Sequence, residues 1–376
     1  MRYCTRCVLP DSRPNLVLDD DGVCNACRGH GRRAEVDWDE RAREWERVAA
    51  EARRRARGGY DCLIPVSGGK DSTWQVVTAL EAGLRPLCVT WKTPARTEIG
   101  QRNLDNMVSL GVDHIDYQVS PDVERRFMLE AFRVLGDPAI PMHMALFAIP
   151  LTIAVRFRIP LVIWGENSAA EYGTTGGEGL GVKLDAAWLR RFGVTHGTTW
   201  RDWVGDVLTE RDMVPYRTPT DADLAEAGVE AVFLGHFFAW DPERVLEVAT
   251  ANGFRPDPGG PRTGHYDYAD IDDDLISVHH WLKWHKFGFT RTYDNLSLEI
   301  RNGRITREAA VELIRERGYE APVSDIRRFC EFTGIEEARF ARIADTFRDD
   351  RVWRVRDGRW VIDDFLIPDW QWSEAA

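Results

Sequence analysis

The stretch Ser67-Gly68-Gly69-Lys70-Asp71-Ser72 constrains this chain more than any other. It follows the apolar run Tyr60-Asp61-Cys62-Leu63-Ile64-Pro65-Val66, which is of strand length, and precedes Thr73 to Leu80, which reads as a helix. A strand, a glycine-rich turn and a helix start make an anion site: backbone N–H groups turn toward one phosphate, and the helix N-terminus adds its positive end. Lys70 adds a full charge, and Ser67 and Ser72 add hydroxyl donors. A Walker A loop is excluded, because that motif needs Ser or Thr after its lysine and Asp71 stands there.

The surrounding pattern predicts the fold. Strand candidates recur at 60–66, 86–91, 114–119 and 159–164, separated by helical stretches at 71–82, 98–110, 121–134 and 144–158. Such alternation predicts an α/β fold, a parallel sheet with helices on both faces. Sheets of this kind bind ligands at the carboxyl ends of their strands. Ser67, Thr90-Trp91 and Gly165-Glu166-Asn167 all fall at that edge. Beyond residue 182 the chain turns helical and tryptophan-rich, with one further strand candidate at 231–235. The glycine-rich stretch 173–181 lacks G-x-G-x-x-G and reads as a loop over the site or a plain connector.

Four of the seven cysteines crowd into the start of the chain. Cys4 and Cys7 form one C-x-x-C pair, Cys24 and Cys27 a second, with sixteen residues between. That spacing suits a structural zinc ribbon, in which four thiolates close a tetrahedral site and leave no open position for catalysis. Residues 16–23 between them read as a short hairpin with an Asp-Gly turn. Disulfides would need an oxidising compartment. Cys62 and Cys88 lie inside strand candidates and read as small core residues.

Composition excludes some partners. The net charge of −12 disfavours non-specific nucleic-acid binding. The basic run Arg53-Arg54-Arg55-Ala56-Arg57 ends a helical stretch beginning at Trp38 and reads as a solvated helix C-terminus. No stretch approaches a membrane span and no apolar leader opens the chain, so the expectation is a cytoplasmic protein. Asp272-Asp273-Asp274 reads as a helix N-terminal cap, and His279, His280 and His285 as helix-surface or hydrogen-bonded histidines that share no single helix face.

Ser67 to Ser72 resembles the PP-loop of ATP pyrophosphatases, enzymes that cleave ATP between its α and β phosphates and adenylate an oxygen. Further stretches narrow the resemblance over nearly the whole chain. They are Cys4 to Asp11, Gly22 to Cys27, Val89-Thr90-Trp91, Gly136-Asp137-Pro138 followed by Ile140 to His143, Ile159 to Asn167, Glu171-Tyr172-Gly173, Trp240-Asp241-Pro242, Lys286 to Phe289 and Ile300 to Ile305. Together they resemble the N-acetyl sugar amidotransferase family of bacterial surface-glycan biosynthesis. Its members convert an acetamido group on an activated sugar into an acetamidino group. Their ammonia comes from a separate glutaminase with a cyclase-like subunit. Relatives often carry cysteines where Ala139 and Met142 stand here.

The resemblance implies ATP, Mg2+ and structural Zn2+ as cofactors. It divides the chain into a zinc ribbon (1–30), a helical connector (31–58), a PP-loop domain (59–240) and a mainly helical C-terminal region (241–376). ATP would lie against Ser67, Gly68, Gly69, Lys70, Asp71, Ser72, Thr90, Trp91 and Gly165. Lys70, Asp71, Glu166 and Asn167 are the expected catalytic groups, and His143, Glu171 and Tyr172 the expected substrate contacts. Three other readings stay open at this point. They are a tailoring enzyme acting on a non-sugar amide, a tRNA thiolase or lysidine-type ligase with the same loop, and a zinc-ribbon binding protein with a degenerate nucleotide fold.

Overall fold

The structure, a computed structural model, describes residues 1–57, 59–174, 181–317, 319 and 321–372, without the side chains of Ala170 and Tyr172. Five strands form one parallel sheet: β1 (Cys62–Pro65), β2 (Pro86–Trp91), β3 (Asp113–Tyr117), β4 (Leu161–Trp164) and β5 (Glu230–Phe233). Their order is β3-β2-β1-β4-β5, so the order reverses at β1 and opens a crevice beyond its carboxyl end. The register pairs Ile64 with Cys88 and Leu63 with Val162. The predicted fold class is the one found, and the candidate at 231–235 becomes β5, one of the sheet's two edge strands.

Alternate strand residues serve two cores. Leu63, Leu87, Val89 and Val162 face a core shared with helices Pro121–Leu135 and Ile140–Phe157. Cys62, Ile64, Cys88 and Ile163 face another, with helices Trp38–Arg55, Lys70–Glu81 and Pro242–Ala251. Both strand cysteines are buried, as expected of small core residues. The connector helix Trp38–Arg55 is thus part of the sheet's outer layer, with Trp45 packed against Phe237 at 5.6 Å. At its end, Arg54 pairs with Glu51, while Arg53 and Arg55 bind the carbonyls of Ala82 and Gly228. Two arginines of the run thus bind the ends of other helices in the chain.

Two sequence expectations need correction. Helix Ile140–Phe157 starts four residues before its predicted start, and it is long and apolar enough to span a bilayer by length and composition. Its hydrophobicity has a different cause here. It packs against β1, β2 and β4 on one side and helix Pro121–Leu135 on another, and burial on more than one side favours apolar residues round much of a helix. The C-terminal region also contains an antiparallel hairpin, β6 (Trp353–Arg356) and β7 (Arg359–Ile362). Its turn, Asp357-Gly358, has φ of 49° and 71°, the pair of positive values a tight primed turn requires.

The cysteine segment does not stand apart. Cys4, Cys7, Cys24 and Cys27 share one core with Trp284, Phe289, Tyr293, Trp353 and Phe365. Arg13 reaches the fully buried Asp294 at 2.8 Å, and Lys283 reaches its other oxygen at 3.2 Å. The first and last parts of the chain therefore fold onto each other. The expected hairpin between the cysteine pairs reduces to one bridge, Leu18 with Cys24, over a turn in which Asp19 accepts the amides of Asp21 and Val23.

Candidate functional site

The loop Ser67–Ser72 leaves β1 at the crevice and enters helix Lys70–Glu81. Gly68 takes φ +89°, and a Cβ there would lie 2.6 Å from the backbone nitrogen of Leu104, so only glycine fits. Gly69 caps the helix without any side-chain cap bond, leaving the first amides of the helix open to an anion. Inside the loop, Ser72 Oγ accepts the Ser67 amide at 3.3 Å and donates to the Gly69 carbonyl at 3.2 Å. The geometry is a cradle of backbone donors held open by its own serines.

Lys70 is buried, and its ammonium contacts both carboxylate oxygens of Asp71 at 2.9 and 2.7 Å. Trp240 donates its indole N–H to Asp71 Oδ1 at 2.9 Å, and the Lys70 ammonium lies 5.2 Å from the centre of that ring. Tyr268 lies 5.9 Å from the same ammonium. Glu166 stands just past β4, close enough to feel both charges. Burial first and then the Asp71 charge, against the opposing pull of Lys70, raise its pKa to about 7. Lys70, Asp71 and Glu166 thus form one electrostatic unit beside the loop. Gly165 continues β4, and its carbonyl accepts the Gly235 amide at 3.0 Å.

Other expected site residues are engaged elsewhere. Asn167 caps helix Ser168–Tyr172: its side-chain oxygen accepts the Ala169 amide at 3.0 Å and the Trp188 indole at 3.1 Å. It holds the backbone that follows Glu166. Thr90 bonds the His114 ring at 2.8 Å, and Trp91 donates to Glu124 at 2.7 Å, so both side chains turn toward neighbouring elements. Glu171 is buried in an ion pair with Arg33, and its carbonyl accepts from Arg301 at 3.0 Å, which ties it to the cysteine side of the molecule. The Tyr172 side chain and residues 175–180 of the glycine-rich stretch lie outside the described residues.

His143 lies on the other sheet face from helix Lys70–Glu81 and lines a cavity of about 520 Å³ with Phe147, Leu184, Trp200, Arg201 and Tyr216. Its Nδ1 donates to the Ala139 carbonyl at 2.9 Å. Burial, aided by the nearby His279, lowers its pKa to about 3 and keeps the ring neutral.

The three C-terminal histidines are buried, which corrects the surface reading. Burial won because helix Ile276–Phe287 is enclosed by other parts of the chain, with each ring meeting a partner. His279 donates to Asp137 at 2.7 Å, His280 meets Thr263 at 3.4 Å, and His285 packs edge-on against Trp281. The acidic run is corrected too. The helix after it is capped by Leu275 with no side-chain bond. Asp273 accepts the Leu275 amide, Asp274 pairs with Arg262 and Arg328, and the Asp272 carbonyl accepts the Thr97 amide at 3.1 Å. Trp240 is a contact of the loop region that sequence reasoning did not assign, although it stood inside a stretch already singled out.

The four cysteine sulfurs lie within 4.8 Å of one another, with Cys4 and Cys27 at 4.0 Å and Cys7 and Cys24 at 3.8 Å. Four thiolates around one tetrahedral ion with metal–sulfur bonds of ~2.3 Å sit about 3.8 Å apart, so the donors fit such an ion. Amides of Cys7 and Cys24 point at the Cys4 sulfur at 3.4 and 3.2 Å, and the Cys27 amide points at the Cys24 sulfur at 3.4 Å. All four positions of the ion would be filled.

No curated protein matches the chain. The solved structure of NMN synthetase from Francisella tularensis is similar with a TM-score of 0.26 and 14% identity, over 58% of this chain and 93% of that one. Residues 261–365 match the family described as LPS biosynthesis protein WbpG-like, C-terminal domain. That segment carries Tyr268 and the buried histidines, and it is the part of this chain that is similar to the WbpG-like family.

Proposed function

We propose that this chain is an ATP-using tailoring enzyme of bacterial surface-glycan synthesis, and more narrowly an amidotransferase that turns the acetamido group of a nucleotide-linked N-acetyl sugar into an acetamidino group. The observation that carries the reading is the open cradle of Ser67 to Gly69 at the crevice, with Lys70, Asp71 and Glu166 beside it. The WbpG-like match, whose description names LPS biosynthesis, supports the glycan context.

An amide carbon is a poor electrophile and its oxygen a poor leaving group. Attack of that oxygen on the α-phosphorus of ATP forms an O-adenylyl imidate and expels pyrophosphate. Ammonia then adds to the carbon, and loss of AMP with a proton leaves the amidine. Most of the catalysis is positioning and charge stabilisation. The Gly68 amide and the uncapped first amides of helix Lys70–Glu81 cradle the departing pyrophosphate, and Lys70 neutralises charge growing between α and β phosphates. Asp71 would hold Mg2+, whose charge would stabilise the phosphates. Glu166, with a pKa raised to about 7, is suited to take the proton that ammonia loses. The four cysteines would hold zinc as a structural ion. Ammonia would come from a separate glutaminase with a cyclase-like subunit.

The test is product analysis. Purified protein is incubated with ATP, Mg2+, ammonium and a panel of nucleotide-linked N-acetyl sugars. AMP and pyrophosphate in equal amounts, dependent on sugar and on Lys70, with NH replacing O in the sugar, are expected. Release of ADP and phosphate would sink the adenylation mechanism. Turnover with a non-sugar amide alone would retain adenylation and move the acceptor class.

A further inference from the structure

Arg33 stands just beyond the helix Asn25–Gly31 that carries Cys27, where the chain leaves the cysteine segment. Its guanidinium joins two distant elements. Nη1 donates to the Trp240 carbonyl at 3.1 Å, and Nη2 pairs with the buried Glu171 carboxylate. The Trp240 indole in turn donates to Asp71 Oδ1 at 2.9 Å. Trp240 is seated across Gly235 from Glu166: a Cβ on Gly235 would lie 3.7 Å from the Trp240 Cβ and 3.5 Å from the Glu166 Cα. Glu171 is itself fixed, because its amide donates to the Asn167 carbonyl at 3.1 Å and its carbonyl accepts from Arg301 at 3.0 Å. The cysteine segment braces the same helix end, where the Asn25 side chain donates to the Thr174 carbonyl at 3.0 Å.

We propose that Arg33 is a positioning residue for Asp71, acting through Trp240, with Glu171 as its anchor. A guanidinium is a planar fork that serves two acceptors at once, whereas a lysine ammonium is a compact point charge that would stay with the carboxylate and release the carbonyl. With the fork in place, the Trp240 backbone is fixed and its indole N–H keeps one Asp71 oxygen in a set place before any nucleotide arrives. The cysteine segment then does more than hold the fold: the residue it delivers orients a carboxylate of the loop. This rests on the reading of Ser67 to Ser72 as a nucleotide site with Asp71 as the carboxylate for Mg2+.

The experiment measures binding of α,β-methylene-ATP, which cannot be cleaved between its α and β phosphates, by calorimetry with and without Mg2+. Arg33→Lys and Trp240→Phe should each weaken binding about tenfold with Mg2+ present, the worth of one well-placed hydrogen bond. Without Mg2+ neither should differ from the parent by more than about twofold, since Asp71 serves the metal. The double variant should lose about tenfold in total, not a hundredfold, because the two residues act in one chain. The thermal midpoint of Arg33→Lys should stay close to the parent's, since Glu171 keeps a cation. Losses that multiply in the double variant, losses equal with and without Mg2+, or an Arg33→Lys variant that binds like the parent would overturn the positioning role alone. A parent protein that does not bind the analogue would overturn the nucleotide reading and this role together.

Discussion

Two carboxylates in this molecule each have a lysine for company, and the contrast between them separates function from architecture. Asp137 is fully buried and has a complete set of donors: the Ala139 amide at 3.1 Å, His279 at 2.7 Å, His196 at 2.9 Å and Lys286 at 3.5 Å. Burial alone would raise its pKa, but His279 and Lys286 hold it well below the usual range. Asp71 is about one-third exposed, bonded to Lys70 and the Trp240 indole N–H, beside an uncapped helix start. A buried charge with every acceptor site filled has nothing left to offer a ligand. The pair at the loop faces an open crevice and can exchange partners when a phosphate arrives. The cysteine cluster belongs with Asp137 in this respect, as a closed set of donors inside a shared core.

The comparison is sharpest where closed sites are broken. Removing zinc with a chelator, or replacing Cys4 by Ser, should lower the melting temperature by on the order of 10 °C or more, because metal binding free energy is folding free energy. Metal analysis should give one zinc per chain in the parent. A metal-free parent with an unchanged melting curve would break the reading of this cluster.

Next come the two carboxylate–lysine sites tested against each other. Asp137→Ala should cost about 3–5 kcal/mol of stability by stranding buried cations. Lys70→Ala should leave the denaturation midpoint nearly unchanged while lowering kcat/KM by roughly 100- to 1,000-fold, the scale for losing a transition-state donor. If the stability losses were reversed, the distinction drawn here would fail.

Glu166 tests the open site by pH. As a base with a pKa about 7, it is competent when ionised, so kcat should rise as pH climbs through 7. Glu166→Gln should flatten that rise and lower kcat roughly 100-fold. A retained pH rise in the variant would move the role to another group.

A further pH effect is expected at Glu124, a buried carboxyl bonded to Trp91, which burial raises from 4.5 to about 8. A raised acid folds best protonated, so its contribution to stability falls as pH climbs from about 4.5 to 8 and levels off above. Glu124→Gln should therefore gain stability relative to the parent at pH 9 compared with pH 5, as read by urea titration. An identical pH trend in both proteins would remove Glu124 from the account.

How much of this was legible in the chain follows from range. The Ser67–Ser72 loop, the alternating strands and helices and the paired C-x-x-C spacings are local patterns, and local patterns carry their own physics: φ freedom at glycine, period-two burial, two thiolates per turn. These the amino-acid sequence determined alone, including the place of Glu166 at the end of β4. The hairpin at Asp357-Gly358 had such a signal and was overlooked within a region read as helical. What only the tertiary structure decided is which neighbour each polar group meets. Asn167 became a cap because Trp188 and the Ala169 amide reached its oxygen first. Glu171 was taken by Arg33, and the helix-borne histidines were buried by other parts of the chain. Trp240 came to the loop from 169 residues away. No periodicity in a chain encodes such meetings, because a side chain's partner is set by packing between elements far apart in sequence.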